Sequence, residues 1–411
     1  MKSPLRWPAL AATCALVLTA AGLSPAATAT SGASAAPVID WSRYATQAIV
    51  AGRPPASSEV LMGIVHIAIA DTVAGLGYGR PFRFAVRPDR KASAAAAVAT
   101  AAYDVLRARV HPSPAGLDGT YADYLAGVPD GRAKTRGITL GRSVAAAVLA
   151  WRAGDGLDNT VPYVQAPAGP GVWEPTAPTP PVDIVLTQVR PLALRYRAQF
   201  RPDGPDPLTS KRYARDVAEV ASLGRKDSTT RTAAQTETAM FWSEQTAQQW
   251  SRALLQLASD RHLSLSRAAQ MLALVHVSAG DALIACWDAK FYYRSWRPVH
   301  AIQRADTDGN PRTQADPTWQ SLLNVNHPEY PSGHACFTAG VTRALQAYFH
   351  SNLPLTMTSL VTNTTRVYPT LSAVRSDVRE ARILSGLHFR HSMLDGEQLG
   401  TDVANWISAR H

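Results

Sequence analysis

Apolar residues recur at helical spacing along most of this 411-residue chain, and stretches with the alternation of a β-strand are sparse. The spacing predicts helices over residues 57–77, 92–110, 139–153, 210–223, 230–258, 263–291, 332–350, 371–389 and 394–409. Residues 304–331 are rich in turn-forming residues and predict a loop. The chain is therefore expected to be all-α, built as one helical bundle or as two packed bundles.

A proline-rich segment interrupts this helical pattern. Residues 160–206 contain many of the prolines and little periodicity, which predicts a long connecting arm. We expect an N-terminal helical region over residues 37–225, which includes this arm. A C-terminal helical bundle over residues 226–411 is expected to carry the active site.

The N-terminus has the pattern of an export signal. Lys2 and Arg6 precede an apolar run of about 16 residues, and small residues follow it. We expect residues 1–29 to be a signal peptide, with cleavage as late as residue 36, and the mature protein to be secreted into the extracellular space. No later segment reaches about 18 uncharged apolar residues, so no stable membrane span is expected after signal removal.

The charge balance suits anionic partners, since the formal net charge is +10. The positive residues are scattered, however, and no run of five or six forms a basic tail. Zinc-finger spacing and interleaved basic and aromatic residues are also absent from the sequence. We therefore expect a basic enzyme without a nucleic-acid partner.

Two cysteines remain after the signal segment, Cys286 and Cys336. Two cysteines define neither a disulfide scaffold nor a zinc site. The favoured interpretation is a pair of small buried residues. The alternative is a disulfide between them, which export would permit.

Three separated segments supply donors for an anion. In the first, Lys290 and Arg297 are seven residues apart, so both would lie on one face if the helix persisted as far as Pro298. In the second, Ser332 and Gly333 open a helix after Pro331. The free N–H groups and positive dipole end of that helix would bind an oxyanion.

His334 follows in the first turn of that helix and could act as an acid or base beside the anion. The third segment contributes Arg382, whose fork of donors suits a tetrahedral oxyanion. His388 lies six residues further on and could be a nucleophile or a metal ligand. Each segment alone is weak evidence for a functional site, but together the three supply donors for one tetrahedral oxyanion.

These segments resemble the signature of the superfamily of vanadium haloperoxidases and type 2 phosphatidic acid phosphatases. The signature is Lys-x6-Arg-Pro, then Pro-Ser-Gly-His, then Arg-x5-His, and this sequence has it in the same order, at Lys290 to Pro298, Pro331 to His334, and Arg382 to His388. From about residue 40 onward the chain is also similar to the bacterial secreted haloperoxidase branch.

The resemblance implies a vanadate cofactor. His388 would be the metal ligand, and Lys290, Arg297, Ser332, Gly333 and Arg382 would hold the vanadate oxygens. His334 would be the acid–base group, and Lys290 would also polarise the bound peroxide. Trp287 and His327 would lie on the halide side of the pocket. Hydrogen peroxide, halide and an organic acceptor would be the partners, and a homodimer stays open.

One departure from the superfamily pattern concerns His388. Asp is common four residues after the ligand histidine, but here that residue is Ser392, and Asp395 is the nearest carboxylate downstream. This leaves the group that orients His388 unidentified. His391 is close enough in sequence for an exchange of roles with His388.

Three functions remain open from the sequence. The first is a vanadate-dependent haloperoxidase, which converts halide to a hypohalous-acid equivalent. The second is a secreted acid phosphatase that holds phosphate in the same pocket and uses a phosphohistidine intermediate. The third is a non-catalytic helical protein that binds phosphate or polyanions, which leaves His334 and His388 without a purpose. Trp287 and His327 favour the first.

Overall fold

The computed structural model describes residues 33–111 and 116–411. Within these ranges the protein is built from thirteen α-helices and a single β-hairpin. The helices are α1 (Ala36–Val50), α2 (Pro55–Gly75), α3 (Ala94–Arg109), α4 (Leu117–Ala126), α5 (Arg132–Arg152), α6 (Lys211–Leu223), α7 (Ala233–Phe241), α8 (Thr246–Asp260), α9 (Leu265–Tyr293), α10 (Pro298–Gln303), α11 (Gly333–Phe349), α12 (Leu371–Leu384) and α13 (Arg390–Ser408).

The hairpin joins β1 (Leu355–Ser359) to β2 (Thr364–Tyr368) in antiparallel register, with Leu355 opposite Tyr368. The expectation of an all-α fold is confirmed, because this hairpin is small and lies between α11 and α12. The predicted signal peptide, residues 1–29, lies outside the described residues. The division at residue 225 stays a prediction.

The centre of the fold is α9, which packs along α2 and α11. Most residues of α2 and α9 are buried, and a helix that is apolar all round is expected in a protein core. By length and composition alone these two helices could also cross a membrane, although 94% of the most apolar stretch of each is buried inside the protein. The expected absence of a membrane span stays a prediction.

Close packing places the start of α11 against α13. A Cβ added to Gly396 would meet the carbonyl oxygen of Ser332 at 2.9 Å, and one added to Gly400 would lie even closer to the carbonyl oxygen of Cys336. Glycine is thus required at both positions, because any side chain would push α13 away from α11. The result is a fixed helix start at the site described below.

Buried aspartates fasten the proline-rich arm to the helices. Asp281 on α9 accepts hydrogen bonds from three successive backbone N–H groups, those of Leu192, Ala193 and Leu194, at 2.6–2.7 Å. Asp183 on the arm accepts from the N–H groups of Ala56 and Ser57, both at 3.0 Å, and so caps α2. The arm is an ordered wrapping segment with these partners.

The predicted helices differ from the observed ones in two informative places. The single helix expected over 230–258 is two helices, α7 and α8, separated by residues 242–245. The helix predicted over 263–291 ends at Tyr293, close to its predicted end, and does not persist to Pro298, because Arg294 takes a left-handed conformation with φ of 49°. Pro298 instead begins α10, where its missing N–H is not needed. Helices α1 and α4 were not predicted.

Candidate active site

The Ser332–Gly333 segment forms the N-terminus of α11, as the sequence predicts. Ser332 is the N-cap, but its hydroxyl makes no capping bond and has no hydrogen-bond partner although it is buried. A Cβ on Gly333 would lie 3.0 Å from the Trp287 ring, so a side chain there would require that ring to shift. The first N–H groups of a helix have no partner within it. The segment therefore offers a free hydroxyl and free amides at one point.

Lys290, near the end of α9, and Arg297, beyond the turn that follows, approach this point from different elements. The condition for a shared helix face is not met, because α9 ends between them. Lys290 donates from Nζ to the carbonyl oxygens of Pro328 and Glu329 at 3.0 Å, and to that of Pro331 at 2.5 Å. Arg297, as the N-cap of α10, reaches the same stretch of chain from the other side.

Arg297 connects the two histidines of the pocket. Its Nη2 lies 2.8 Å from Nδ1 of His327, its Nη1 lies 3.3 Å from Nε2 of His388, and it also donates to the carbonyl oxygens of His327 and Leu387 at 2.8 Å. Both cations are almost fully buried. Burial, together with Glu329 acting in the opposite sense, leaves the pKa of Arg297 lowered to about 10.

His388 lies in the short connection between α12 and α13, so it does not continue the helix of Arg382. Its Nδ1 lies 2.8 Å from Oε1 of Glu329, which also accepts the N–H of Phe389 at 3.1 Å. Burial and the neighbouring Arg297 hold the pKa of His388 well below its usual range. The ring is therefore neutral, with its proton on Nδ1 and a lone pair on Nε2.

Glu329 is the orienting carboxylate that the sequence comparison did not identify. Asp395 is otherwise engaged, since its carboxylate accepts from the Tyr330 hydroxyl at 2.6 Å. The orienting group thus precedes His388 by 59 residues instead of following it. The sequence did offer a clue to this orienting group. In the segment His-Pro-Glu-Tyr-Pro-Ser-Gly-His, Glu329 and Tyr330 are the polar residues without a proposed role, and of these two only Glu329 carries a carboxylate.

His334 and Arg382 meet at the break between α7 and α8. Nε2 of His334 lies 3.5 Å from the Thr246 hydroxyl, and Arg382 donates from Nη1 to the Trp242 carbonyl at 3.1 Å. Nε of Arg382 is buried without a partner. Burial and the charge of Arg382 hold the pKa of His334 well below its usual value. The unpredicted break at residues 242–245 therefore frees the backbone that orients Arg382.

A cavity of about 350 Å³ opens beside these groups. Its lining includes six of the predicted site residues, namely Trp287, His327, Gly333, His334, Arg382 and His388. Lys290, Arg297 and Ser332 are buried around it without being part of the lining. Trp287 and His327 lie side by side with ring centroids 5.1 Å apart. The three sequence segments thus converge on one cationic pocket.

Comparisons with known proteins agree with this geometry. Residues 270–411 match the family model of the VCPO second helical-bundle domain. The vanadium chloroperoxidase of Curvularia inaequalis is 33% identical over 96 residues, which are 21% of this chain and 15% of the length of that enzyme.

Two crystal structures share the fold at 18% identity. A bacterial vanadium-dependent iodoperoxidase superposes with a TM-score of 0.78, covering 92% of this chain and 96% of its own. An apo-type bacterial vanadium-dependent chloroperoxidase superposes with a TM-score of 0.67, covering 88% of this chain and 95% of its own.

Residues 270–411 are therefore similar to a domain of the vanadium haloperoxidases, and the described chain shares the fold of two such enzymes. The matched domain contains all three signature segments, and the resemblance inferred from them is confirmed.

His391 does not take the place of His388. Its Nδ1 lies 2.7 Å from Asp216 and 3.5 Å from Asp206, which itself pairs with Arg212. Burial opposes protonation, but the bond to Asp216 prevails and raises the pKa of His391. His391 is therefore held by two aspartates and lies outside the cavity lining.

A disulfide joins Cys286 on α9 to Cys336 on α11, with Cα atoms 6.4 Å apart. The favoured interpretation of two unpaired buried thiols was wrong, and the alternative applies. A Cα separation in this range is compatible with a bridge. In this haloperoxidase fold the bridge ties the helix that carries Lys290 to the helix that begins at the anion-binding turn.

Proposed function

We propose that the chain is a vanadate-dependent haloperoxidase, which oxidises halide with hydrogen peroxide to a hypohalous-acid equivalent. One observation carries this proposal. A neutral histidine, His388, is fixed by Glu329 with the lone pair of Nε2 beside a cluster of buried oxyanion donors. Metal-ligating histidines have this arrangement, in which the second ring nitrogen donates to a carboxylate.

The donors fit a tetrahedral oxyanion. Ser332 Oγ and Arg382 Nε are buried without partners, and such orphaned groups are rare unless a ligand or water satisfies them. Gly333 has no side chain to cover the helix N-terminus, which leaves its N–H groups open to an anion, and a Cβ there would press on the Trp287 ring. Three buried cations without an equal number of carboxylates also favour an anion. The set of residues therefore fits vanadate.

We propose that His388 Nε2 is the vanadium ligand and that the oxygens are held by Lys290, Arg297, Ser332, the Gly333 N–H and Arg382. Vanadate, when bound, supplies a Lewis acid that activates hydrogen peroxide without a change in oxidation state. Arg297 Nη1 lies near Nε2 of His388 and would turn to the anion when it enters. Lys290, whose pKa burial lowers, would polarise the peroxide.

His334 is proposed to exchange protons with the peroxide. Its lowered pKa makes the ring neutral at neutral pH, so it can accept a proton as peroxide binds and return it to the departing oxygen. Trp287 and His327 are proposed to contact the halide. Arg297 donates to His327 Nδ1, which places the His327 proton on Nε2 as a donor for an anion.

Export is proposed on the sequence of residues 1–29 alone, as a signal peptide that is removed before the enzyme acts outside the cell. A disulfide in the fold is compatible with such a location. N-terminal sequencing of the protein recovered from the medium of the producing cells tests this proposal. A protein retained in the cells with an intact N-terminus would contradict it.

The function is tested with protein stripped of metal and reloaded with orthovanadate in phosphate-free buffer. We expect bromination of a dimedone-type acceptor with bromide and peroxide only after loading, and no bromination by His388→Ala. His391→Ala is the matched control, since it removes a nearby buried histidine that does not line the cavity. Hydrolysis of p-nitrophenyl phosphate that vanadate inhibits, without bromination, would identify an acid phosphatase instead.

A further inference from the structure

The cavity extends well beyond the groups that hold the oxyanion. Apart from the six site residues, ten residues line it, and they are called the far wall below: the apolar Pro55, Ala56, Val182, Leu283, Val325 and Phe337, and the polar Asp183, Thr246, Asn324 and Asn326. At about 350 Å³ it could hold on the order of ten water molecules. An oxyanion, a peroxide and a halide fill only a few of those positions.

The chemistry of this far wall does not suit the inorganic substrates. Five of these ten residues are aliphatic or proline, and Phe337 adds an aromatic ring, so apolar side chains are the majority. A halide or a peroxide held against these six side chains would lose hydration without gaining hydrogen bonds, which is unfavourable. Concave, mostly apolar walls with a few polar groups are typical of binding sites for organic molecules.

The wall is also held in place by its own bonds. The arm is attached at Val182, whose carbonyl accepts from Trp287 Nε1 at 3.0 Å and whose N–H donates to the Asn326 carbonyl at 2.8 Å. The Asn326 side chain donates in turn to the carbonyl of Thr179 at 2.8 Å. The apolar chamber is thus formed before any ligand arrives, which lowers the entropic cost of binding.

We propose that this chamber binds the organic acceptor, and that the acceptor is an uncharged, electron-rich molecule with a single aromatic ring. The inference rests on the proposed function. Trp287 and Phe337 offer ring faces on which an aromatic acceptor packs, and the apolar wall disfavours a charged one. Halogen transfer then takes place inside the cavity and not by a hypohalous acid released into solution.

The overall reaction balances for an acceptor R–H and a halide X⁻. Peroxide gains two electrons as its O–O bond breaks, and halide loses the same two electrons. The C–X bond forms as the C–H bond breaks, so that H₂O₂ + X⁻ + H⁺ + R–H gives R–X + 2 H₂O. The carbon-bound proton leaves to water or to His334, which is within the same cavity.

The test compares two acceptors with authentic hypobromite as the reference. Phenol has one ring, whereas phenol red has three and carries a charge. The quantity measured is the ratio of brominated phenol to brominated phenol red. We expect this ratio to be at least tenfold higher with the vanadate-loaded enzyme than with hypobromite. Triiodide formation from iodide and peroxide, without an organic acceptor, measures halide oxidation separately.

Two variants change the chamber in opposite directions. Val182→Trp fills it, and we expect the phenol preference to fall to the hypobromite ratio while triiodide formation stays within twofold. Leu283→Ala widens it, and we expect the share of brominated phenol red to rise. Val164→Trp is the matched control, because Val164 lies on the same arm but is 78% exposed, away from the cavity.

A wild-type ratio equal to that of hypobromite would overturn the acceptor site and leave the haloperoxidase intact. Unchanged ratios in both variants would overturn it as well. Absence of vanadate-dependent triiodide formation in the wild type would instead remove the proposed function. The two failures are therefore distinguishable.

Discussion

Reduction of the Cys286–Cys336 disulfide is expected to destabilise the protein by a calculable amount. The two cysteines are separated by 50 residues, and both side chains are fully buried. In the chain-entropy account, opening a loop of this length restores conformational freedom to the unfolded chain worth about 4 kcal/mol at 25 °C. The unfolded, reduced chain also exposes more surface, so the denaturant m-value should increase.

The measurement is equilibrium unfolding in denaturant with and without a thiol reductant. We expect the free energy of unfolding to fall by about 4 kcal/mol in the reductant, with an upper limit of about 5. The doubly substituted Cys286→Ala, Cys336→Ala protein is the control, because reductant should not change its unfolding midpoint. The bridge also fixes α9 against α11, so reduction should weaken vanadate binding before global unfolding.

Two results would refute this reasoning. The first is two free thiols per chain from Cys286 and Cys336 when the unfolded, unreduced protein is titrated. The second is coincident unfolding curves with and without reductant in a protein shown to be bridged. The latter would mean that strain in the folded state cancels the entropic gain.

Three further predictions concern single side chains. Glu329→Gln keeps an acceptor for His388 Nδ1 but loses its charge, so vanadate binding should weaken by roughly tenfold to a hundredfold in equilibrium dialysis. Arg382→Lys keeps the charge but loses the fork of donors, and should weaken vanadate binding at least about tenfold, whereas an unchanged affinity would contradict its role. Burial and nearby His276 lower the pKa of His66 well below 6.5, so stability present above pH 6.5 is lost as the pH falls towards the lowered value. His66→Leu should make this dependence shallower by up to about 1.4 kcal/mol per pH unit in denaturant titrations between pH 5 and 6.5, and equal slopes would refute it.

Much of the fold was accessible from the sequence because apolar periodicity is a local property. The long, strongly periodic segments are helices, and α6, α9 and α11 begin within two residues of their predicted starts. The failures occurred where tertiary contacts override the local pattern. Residues 242–245 are not helical, and the Trp242 carbonyl that this break leaves free is a hydrogen-bond acceptor for Arg382.

The candidate site divides in the same way. The sequence by itself determined which donors are present, since it gives the types and the order of the residues in the three segments. It could not determine how Lys290 and Arg297 converge, because a left-handed Arg294 ends α9 between them. Nor could it pair Glu329 with His388, since hydrogen bonds between residues 59 positions apart depend on the packing of whole helices.

Only the tertiary structure decided which groups face the cavity. His388 lines the cavity and His391 does not, because Asp216 and Asp206 hold His391 outside the lining. The tertiary structure also brought the distant arm across the pocket, where the backbone of Val182 bonds to Trp287. The physical reason is that a residue's type fixes its chemistry, whereas its partners, its burial and hence its charge state are set by segments that meet only in the folded chain.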